Sequence, residues 1–112
     1  MCKLVNIKKN KNYDVYIGRG NCPKTGEESK WGNPYSHDPK SLAKFIVATR
    51  EEAVEKFEEY LLNSKELMES LPELMFKTCG CWCLPKLCHG LILKKYVDRL
   101  EQKYQIDKLL RD

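Results

Sequence analysis

Four of the chain's six cysteines and one of its two histidines lie within Cys79-Gly80-Cys81-Trp82-Cys83-Leu84-Pro85-Lys86-Leu87-Cys88-His89-Gly90. Packing seldom demands such a cluster, and two chemistries fit it. If a helix begins near Cys88, its unsatisfied amides and its dipole favour negative charge there and make thiolate more available. Cys88, with Cys83 nearby, is then a candidate nucleophile and His89 a candidate acid or base. Neighbouring residues on a helix point in different directions, so adjacency alone does not pair Cys88 with His89. In the second chemistry Cys81, Cys83, Cys88 and His89 supply four ligands to a zinc or iron ion. A strand would aim Cys81 and Cys83 the same way with Cα atoms about 6 to 7 Å apart, which metal ligation can bridge. The spacing is nevertheless tighter than in the usual zinc knuckle. A third reading leaves the thiols as small buried side chains.

A second group of chemistry-bearing residues lies upstream, in Gly18-Arg19-Gly20 and Ser29-Lys30-Trp31-Gly32-Asn33-Pro34. Gly18, Gly20 and Gly32 let the backbone approach a ligand or adopt positive φ. Arg19 can make a two-pronged bond to phosphate or carboxylate, Lys30 adds charge, Trp31 offers a stacking face and Asn33 an amide for a base or sugar. Together these suit a nucleotide-like anion. The plain alternative is a turn, a solvated arginine and a tryptophan capping the core. Cys2, Cys22 and His37 read as loop residues of no special role, Trp82 as core filling beneath a helix, and the run Glu51, Glu52, Glu55, Glu58, Glu59 as the wet face of a helix.

The elements that must position these groups follow from periodicity. Leu4–Ile7 and Tyr13–Ile17 read as two short strands, with a hairpin as one way to join them. Residues 21–40 carry Pro23, Pro34, Pro39, Gly26 and Gly32 and read as a long irregular loop. Thr49-Arg50-Glu51-Glu52 is a capping-box pattern that opens a helix whose apolar face is Ala53, Val54, Phe57, Tyr60 and Leu61. Asn63-Ser64 ends it and starts a shorter one with Leu67, Met68 and Leu71 inward, up to Pro72. Met75–Cys83 reads as a strand with Cys79, Cys81 and Cys83 on one face. A long C-terminal helix follows from about Cys88, with Leu93, Val97, Leu100 and Tyr104 at helical spacing.

The crossover between the Tyr13 and Met75 strands is long enough to make them parallel neighbours, which predicts an α/β fold: a short, partly parallel sheet with helices packed on it, in a Rossmann-like two- or three-layer arrangement. Ligands of such sheets bind beyond the carboxyl ends of the strands. The arginine turn and the Cys83–His89 segment both leave strands at that end, so they are expected to face one crevice.

At 112 residues the chain suits one domain, residues 1–112. The absence of any apolar run near the roughly 20 residues of a membrane span, and the polar Met1-Cys2-Lys3 start, lead to the expectation of a cytoplasmic protein, in a host cytoplasm if viral. The net charge of +4 permits an anionic ligand without requiring one, and no arginine-rich tract marks a dedicated DNA-binding surface.

With these motifs assembled, the chain resembles domain-of-unknown-function family 4326, met in phages, large DNA viruses and bacteria. The resemblance rests on Val15-Tyr16-Ile17-Gly18-Arg19, on Ser29-Lys30-Trp31-Gly32-Asn33-Pro34-Tyr35, on Thr49-Arg50-Glu51-Glu52-Ala53 and on Cys81-Trp82-Cys83-x-Pro85-x-x-Cys88-His89-Gly90. It implies that the tryptophan loop and the cysteine-histidine loop form a joint signature. It implies no activity. The chain departs from the shorter family form by inserting Asn21–Glu28 ahead of Ser29.

The resulting expectation is a crevice for a nucleotide or nucleotide-derived small molecule, with thiol-assisted transfer or hydrolysis as the reaction class if one follows. The competing expectation is a zinc- or iron-binding module that touches nucleic acid or a host protein.

Overall fold

The computed structural model describes residues 2–41, 43–82 and 86–111. In chain order these hold β1 (Lys3–Asn6), β2 (Val15–Tyr16), β3 (Tyr35–Ser36), β4 (Phe45–Ile46), α1 (Arg50–Asn63), α2 (Lys65–Ser70), a 3-10 turn (Leu71–Leu74), β5 (Thr78–Cys81) and α3 (Gly90–Arg111). The fold is α/β. β5 lies at the centre of a three-stranded sheet and runs parallel to both of its neighbours, in the order β1-β5-β2.

Val15 stands opposite Cys79 and Tyr16 opposite Gly80, so the Tyr13 and Met75 segments are the expected parallel neighbours. The hairpin is not formed, because β5 separates β1 from β2. The Met75 strand is also shorter than its composition suggests. The chain enters it from the 3-10 turn through Phe76 at φ 61, a left-handed backbone that cannot extend a strand. Cys79 and Cys81 do share a face; Cys83 lies outside the described residues.

Helix signals in the sequence have direct structural counterparts. Thr49 caps α1 by accepting the Glu52 N–H at 3.1 Å, while the Glu52 carboxylate accepts from Ala48, one residue earlier than in a reciprocal capping box. Ala53, Val54, Phe57 and Leu61 turn inward, but Tyr60 is exposed. Ser64 closes α1 with its N–H on the Leu61 carbonyl and opens α2 with its hydroxyl on the Leu67 N–H. Pro72 is accommodated in the first turn of the 3-10 segment, where a missing N–H costs nothing.

Two different layers flank the sheet. On one face, Cys79 and Cys81 join Phe57, Leu61, Leu74, Leu93 and Val97 in the main core. On the other, a Cβ added to Gly80 would come within 2.8 Å of the Tyr13 ring and 2.9 Å of Ile7. That second cluster is Ile7, Tyr13 and Tyr16, with Val5 and Cys22 against it, and no helical residue belongs to it. The arrangement is therefore two-layered among the described residues.

Trp82, expected in the core, emerges beyond β5 and is 44% exposed, whereas Trp31 is 3% exposed inside the main core. The loop expected over residues 21–40 contains β3, which pairs in parallel with β4 and stacks Tyr35 on Phe45 at 5.1 Å. Among the described residues no helix is long and apolar enough to cross a membrane.

Candidate functional site

The arginine turn is held by its neighbours on both sides. Gly18 lies against Tyr16, where a Cβ would fall 2.4 Å from the phenol oxygen, and that hydroxyl donates to the Arg19 carbonyl at 2.7 Å. Arg19 Nε donates to the Asn33 carbonyl at 2.7 Å and Nη2 to the Tyr35 carbonyl at 3.2 Å. Gly32 is needed for this contact: a Cβ there would meet the Arg19 Cα at 2.9 Å and the Gly18 carbonyl oxygen at 3.0 Å. Asn33 is buried, with Nδ2 donating to the Ala53 carbonyl and Oδ1 accepting the Tyr35 N–H, each at 3.0 Å. The two glycine loops thus form one unit, pinned to α1 by Asn33.

The thiol-imidazole segment arrives from the other direction. Cys88 Sγ accepts the Gly90 N–H at 3.3 Å as α3 begins, lies 3.5 Å from Cys81 Sγ and 3.7 Å from His89 Nδ1. His89 Nε2 is 2.7 Å from the Ile17 carbonyl oxygen, and its ring meets Phe57 edge-on at 4.9 Å. Burial pushes the His89 pKa down to about 4, Arg19 adds to the effect, and the Ile17 and Trp31 carbonyls oppose it. The ring is therefore neutral near pH 7. Its carbonyl partner assigns the proton to Nε2 and leaves the Nδ1 lone pair facing Cys88. The same burial disfavours an imidazolium beside Cys88.

Arg19, Asn33, Cys88 and His89 all line one cavity of about 420 Å³, together with Ser36, His37, Asp38, Ser41, Arg50 and Leu87. This volume lies within the usual range of small-molecule clefts, about 300–1,000 Å³. Arg50, the first residue of α1, donates from Nη1 to the Leu87 carbonyl at 3.2 Å and brings a second guanidinium to the cavity.

Other candidates lie elsewhere. Trp31 is enclosed in the core, Lys30 pairs with Glu73 at 2.8 Å, and Gly20 is exposed in a turn at φ 72. Cys83 lies outside the described residues. Among those described, no group of three or more His, Cys, Asp or Glu side chains converges to hold a metal ion.

Sequence reasoning passed over Ser36, His37, Asp38, Ser41 and Arg50. Arg50 was hidden inside a capping pattern. The other four, at the end of β3 and in the loop after it, carry no periodicity, and their place at the cavity depends on the β3–β4 pairing and on the bonds of Arg19 and Asn33. Two further thiols differ from a plain loop reading. Cys2 is buried and lies 3.7 Å from Cys79; the hydrogen bond to Cys2 and burial raise the Cys79 pKa, while that from Cys79 lowers the Cys2 pKa. Burial raises the Cys22 pKa, but hydrogen bonds from the Thr25 hydroxyl and the Thr25 and Lys24 amides prevail and bring it to about 7.

The chain is similar to two viral proteins. It is 37% identical over 120 residues to "Uncharacterized protein R718" of Acanthamoeba polyphaga mimivirus, covering 93% of this chain and 85% of that protein. It is 32% identical over 114 residues to the "Uncharacterized 12.4 kDa protein in nrdA-td intergenic region" of Enterobacteria phage T4, covering 97% of this chain and 90% of that one. No solved structure matches it. A family model described as domain of unknown function (DUF4326) matches residues 5–99, which include the arginine turn, the tryptophan loop and the cysteine-histidine segment, and the chain belongs to that family.

Proposed function

We propose that the protein binds a nucleotide or nucleotide-derived small molecule in the cavity between the arginine turn, α1 and the start of α3. The observation that carries this reading is the presence of two guanidiniums, Arg19 and Arg50, on one cavity walled by Cys88 and His89. Arg19 is anchored through Nε and Nη2, so it is preorganised to present charge. Arg50 makes one bond to Leu87 and can turn its remaining donors to a phosphate. Ser36, Ser41 and His37 add further polar groups to the cavity wall.

Trp31 and Asn33 act here as supports, since one is core and the amide of the other is engaged by Ala53 and Tyr35. Cys88 and His89 would line the side at which thiol-assisted transfer or hydrolysis takes place, with Cys83 as a further thiol. Thermal denaturation with inorganic phosphate, nucleosides and nucleoside mono- and diphosphates tests the reading. Phosphorylated nucleosides are expected to raise the midpoint, by an amount equivalent to about 2.7 kcal/mol at a hundredfold excess over Kd, and Arg50→Gln to abolish the rise. No shift with any nucleotide, or an equal shift in Arg50→Gln, defeats it.

A metal reading is favoured by one distance. Two thiolates on a tetrahedral zinc lie about 3.8 Å apart, given Zn–S bonds of about 2.3 Å, and Cys81 and Cys88 sulfurs are 3.5 Å apart. In this reading Cys81, Cys83, Cys88 and His89 hold zinc or iron. His89 would have to ligate through Nδ1, because Nε2 is on the Ile17 carbonyl. Metal analysis of protein purified without added metal decides: about one ion per chain, lost in Cys88→Ser, supports the module.

A further inference from the structure

We infer a second binding site, for single-stranded nucleic acid, on the sheet face that no helix covers among the described residues. A cavity of about 490 Å³ opens there between Ile7, Tyr13, Pro23 and Trp82, with Lys8, Lys11 and Lys24 at its rim and no carboxylate among the described lining residues. Its floor is aromatic and apolar and its edge is cationic, which is the chemistry that recognises a base joined to phosphates.

The local sequence builds this surface. Ile7 and Trp82 are the residues immediately beyond the carboxyl ends of the parallel strands β1 and β5. After β1 the Asn6 side chain accepts the Lys8 N–H at 2.9 Å, and the Asn6 carbonyl accepts from Lys9 and Asn10. That turn fixes where the lysine-rich Lys8–Lys11 segment begins. Among the described residues neither Lys8 nor Lys11 takes part in an ion pair. Lys24 sits 4.0 Å above the Tyr13 ring and donates to the Tyr13 carbonyl.

Trp82 is the stacking platform. Its indole is 44% exposed, yet its Nε1 donates to the Tyr16 hydroxyl at 2.9 Å, and that hydroxyl is itself fixed on the Arg19 carbonyl. An exposed ring held along one edge binds a base with little loss of freedom. Gly80 keeps the floor shallow, since its missing side chain is what admits Tyr13 and Ile7. Charge complementarity decides the occupant: an apolar protein partner has no use for three unpaired or ring-stacked lysines, whereas successive phosphates do.

Fluorescence anisotropy of a dye-labelled oligothymidylate of about ten nucleotides, titrated with the whole protein at low salt, tests the site. Saturable binding is expected, with log K falling against log salt at a slope of about −2 for three phosphate contacts. Trp82→Leu is expected to weaken binding about tenfold, and Lys8→Gln with Lys11→Gln to reduce the slope to about −0.7. Arg50→Gln should leave binding unchanged. The lysine variant alters only exposed side chains, so it remains informative if Trp82→Leu fails to fold. Absence of saturable binding, unaltered binding in both variants, or equal competition by thymidine monophosphate, which would make the ligand a mononucleotide, overturns the inference.

Discussion

The backbone N–H of Cys2 donates to Oε2 of Glu101 at 3.1 Å, joining the start of the chain to its last helix. The other oxygen, Oε1, accepts the Phe76 N–H at 2.6 Å, so one buried carboxylate serves the chain just before β1 and the left-handed turn before β5. Glu101→Ala would leave two backbone donors without that acceptor in a dry region. A loss of about 3 kcal/mol in urea denaturation is expected, with Glu101→Gln losing less because one oxygen remains. A loss under about 0.5 kcal/mol in Glu101→Ala would refute the role, since that is what an exposed glutamate costs.

His89 makes stability depend on acid. Its folded pKa of about 4 lies below the 6.5 usual for histidine, so the unfolded chain binds the extra proton between those values and stability falls as pH drops through that window. Between pH 7 and pH 5 this amounts to about 2 kcal/mol. Denaturation midpoints measured across that range should fall steeply in the native chain and stay flatter in His89→Gln. Identical slopes would place the proton uptake elsewhere.

Thiol reactivity should contradict the order suggested by the cysteine cluster. Cys2, Cys79, Cys81 and Cys88 are each no more than 1% exposed, while Cys22 is half-buried with a pKa of about 7. Of these five, Cys22 is expected to be alkylated first by iodoacetamide at neutral pH, and Thr25→Val to slow it several-fold by removing the hydroxyl that stabilises its thiolate. Peptide mapping after partial labelling reads the order; labelling of Cys88 ahead of Cys22 would refute it.

Gly32→Ala should be costly, because the new methyl meets backbone at Arg19 and Gly18, which cannot swing aside. About 2 kcal/mol of stability should be lost, together with nucleotide binding, as Arg19 is displaced. A ligand-induced midpoint shift equal to that of the native protein would separate the loop contact from the cavity.

Local signals in the sequence translated well where one residue does one job. Thr49 caps, Ser64 divides two helices, and period-two alternation puts Cys79 and Cys81 on one face. The meeting of Arg19 with Cys88 at one cavity was also legible, because parallel strands release their carboxyl-end loops on the same side.

The two tryptophans were legible only in part: a core place for Trp31 stood as one of two readings, whereas Trp82 was expected in the core and is exposed. Which indole is enclosed depends on the loop clamp from Arg19 to Asn33, next to Trp31 in the chain, and on the lack of a described helix over the face that Trp82 meets. Neither is a property of nearby sequence. Glu101 was similarly silent, since an acidic residue on a long helix reads as solvated until the amides it serves are known.

The central position of β5 also constrains how the chain reaches its native state. β1 and β2 each pair with β5, so this sheet has no strand pair until residues 78–81 have been synthesised and have inserted between segments made earlier. Sheet formation is thereby a late, long-range event, and a nascent chain arrested before residue 78 can form α1 and α2 but not this sheet.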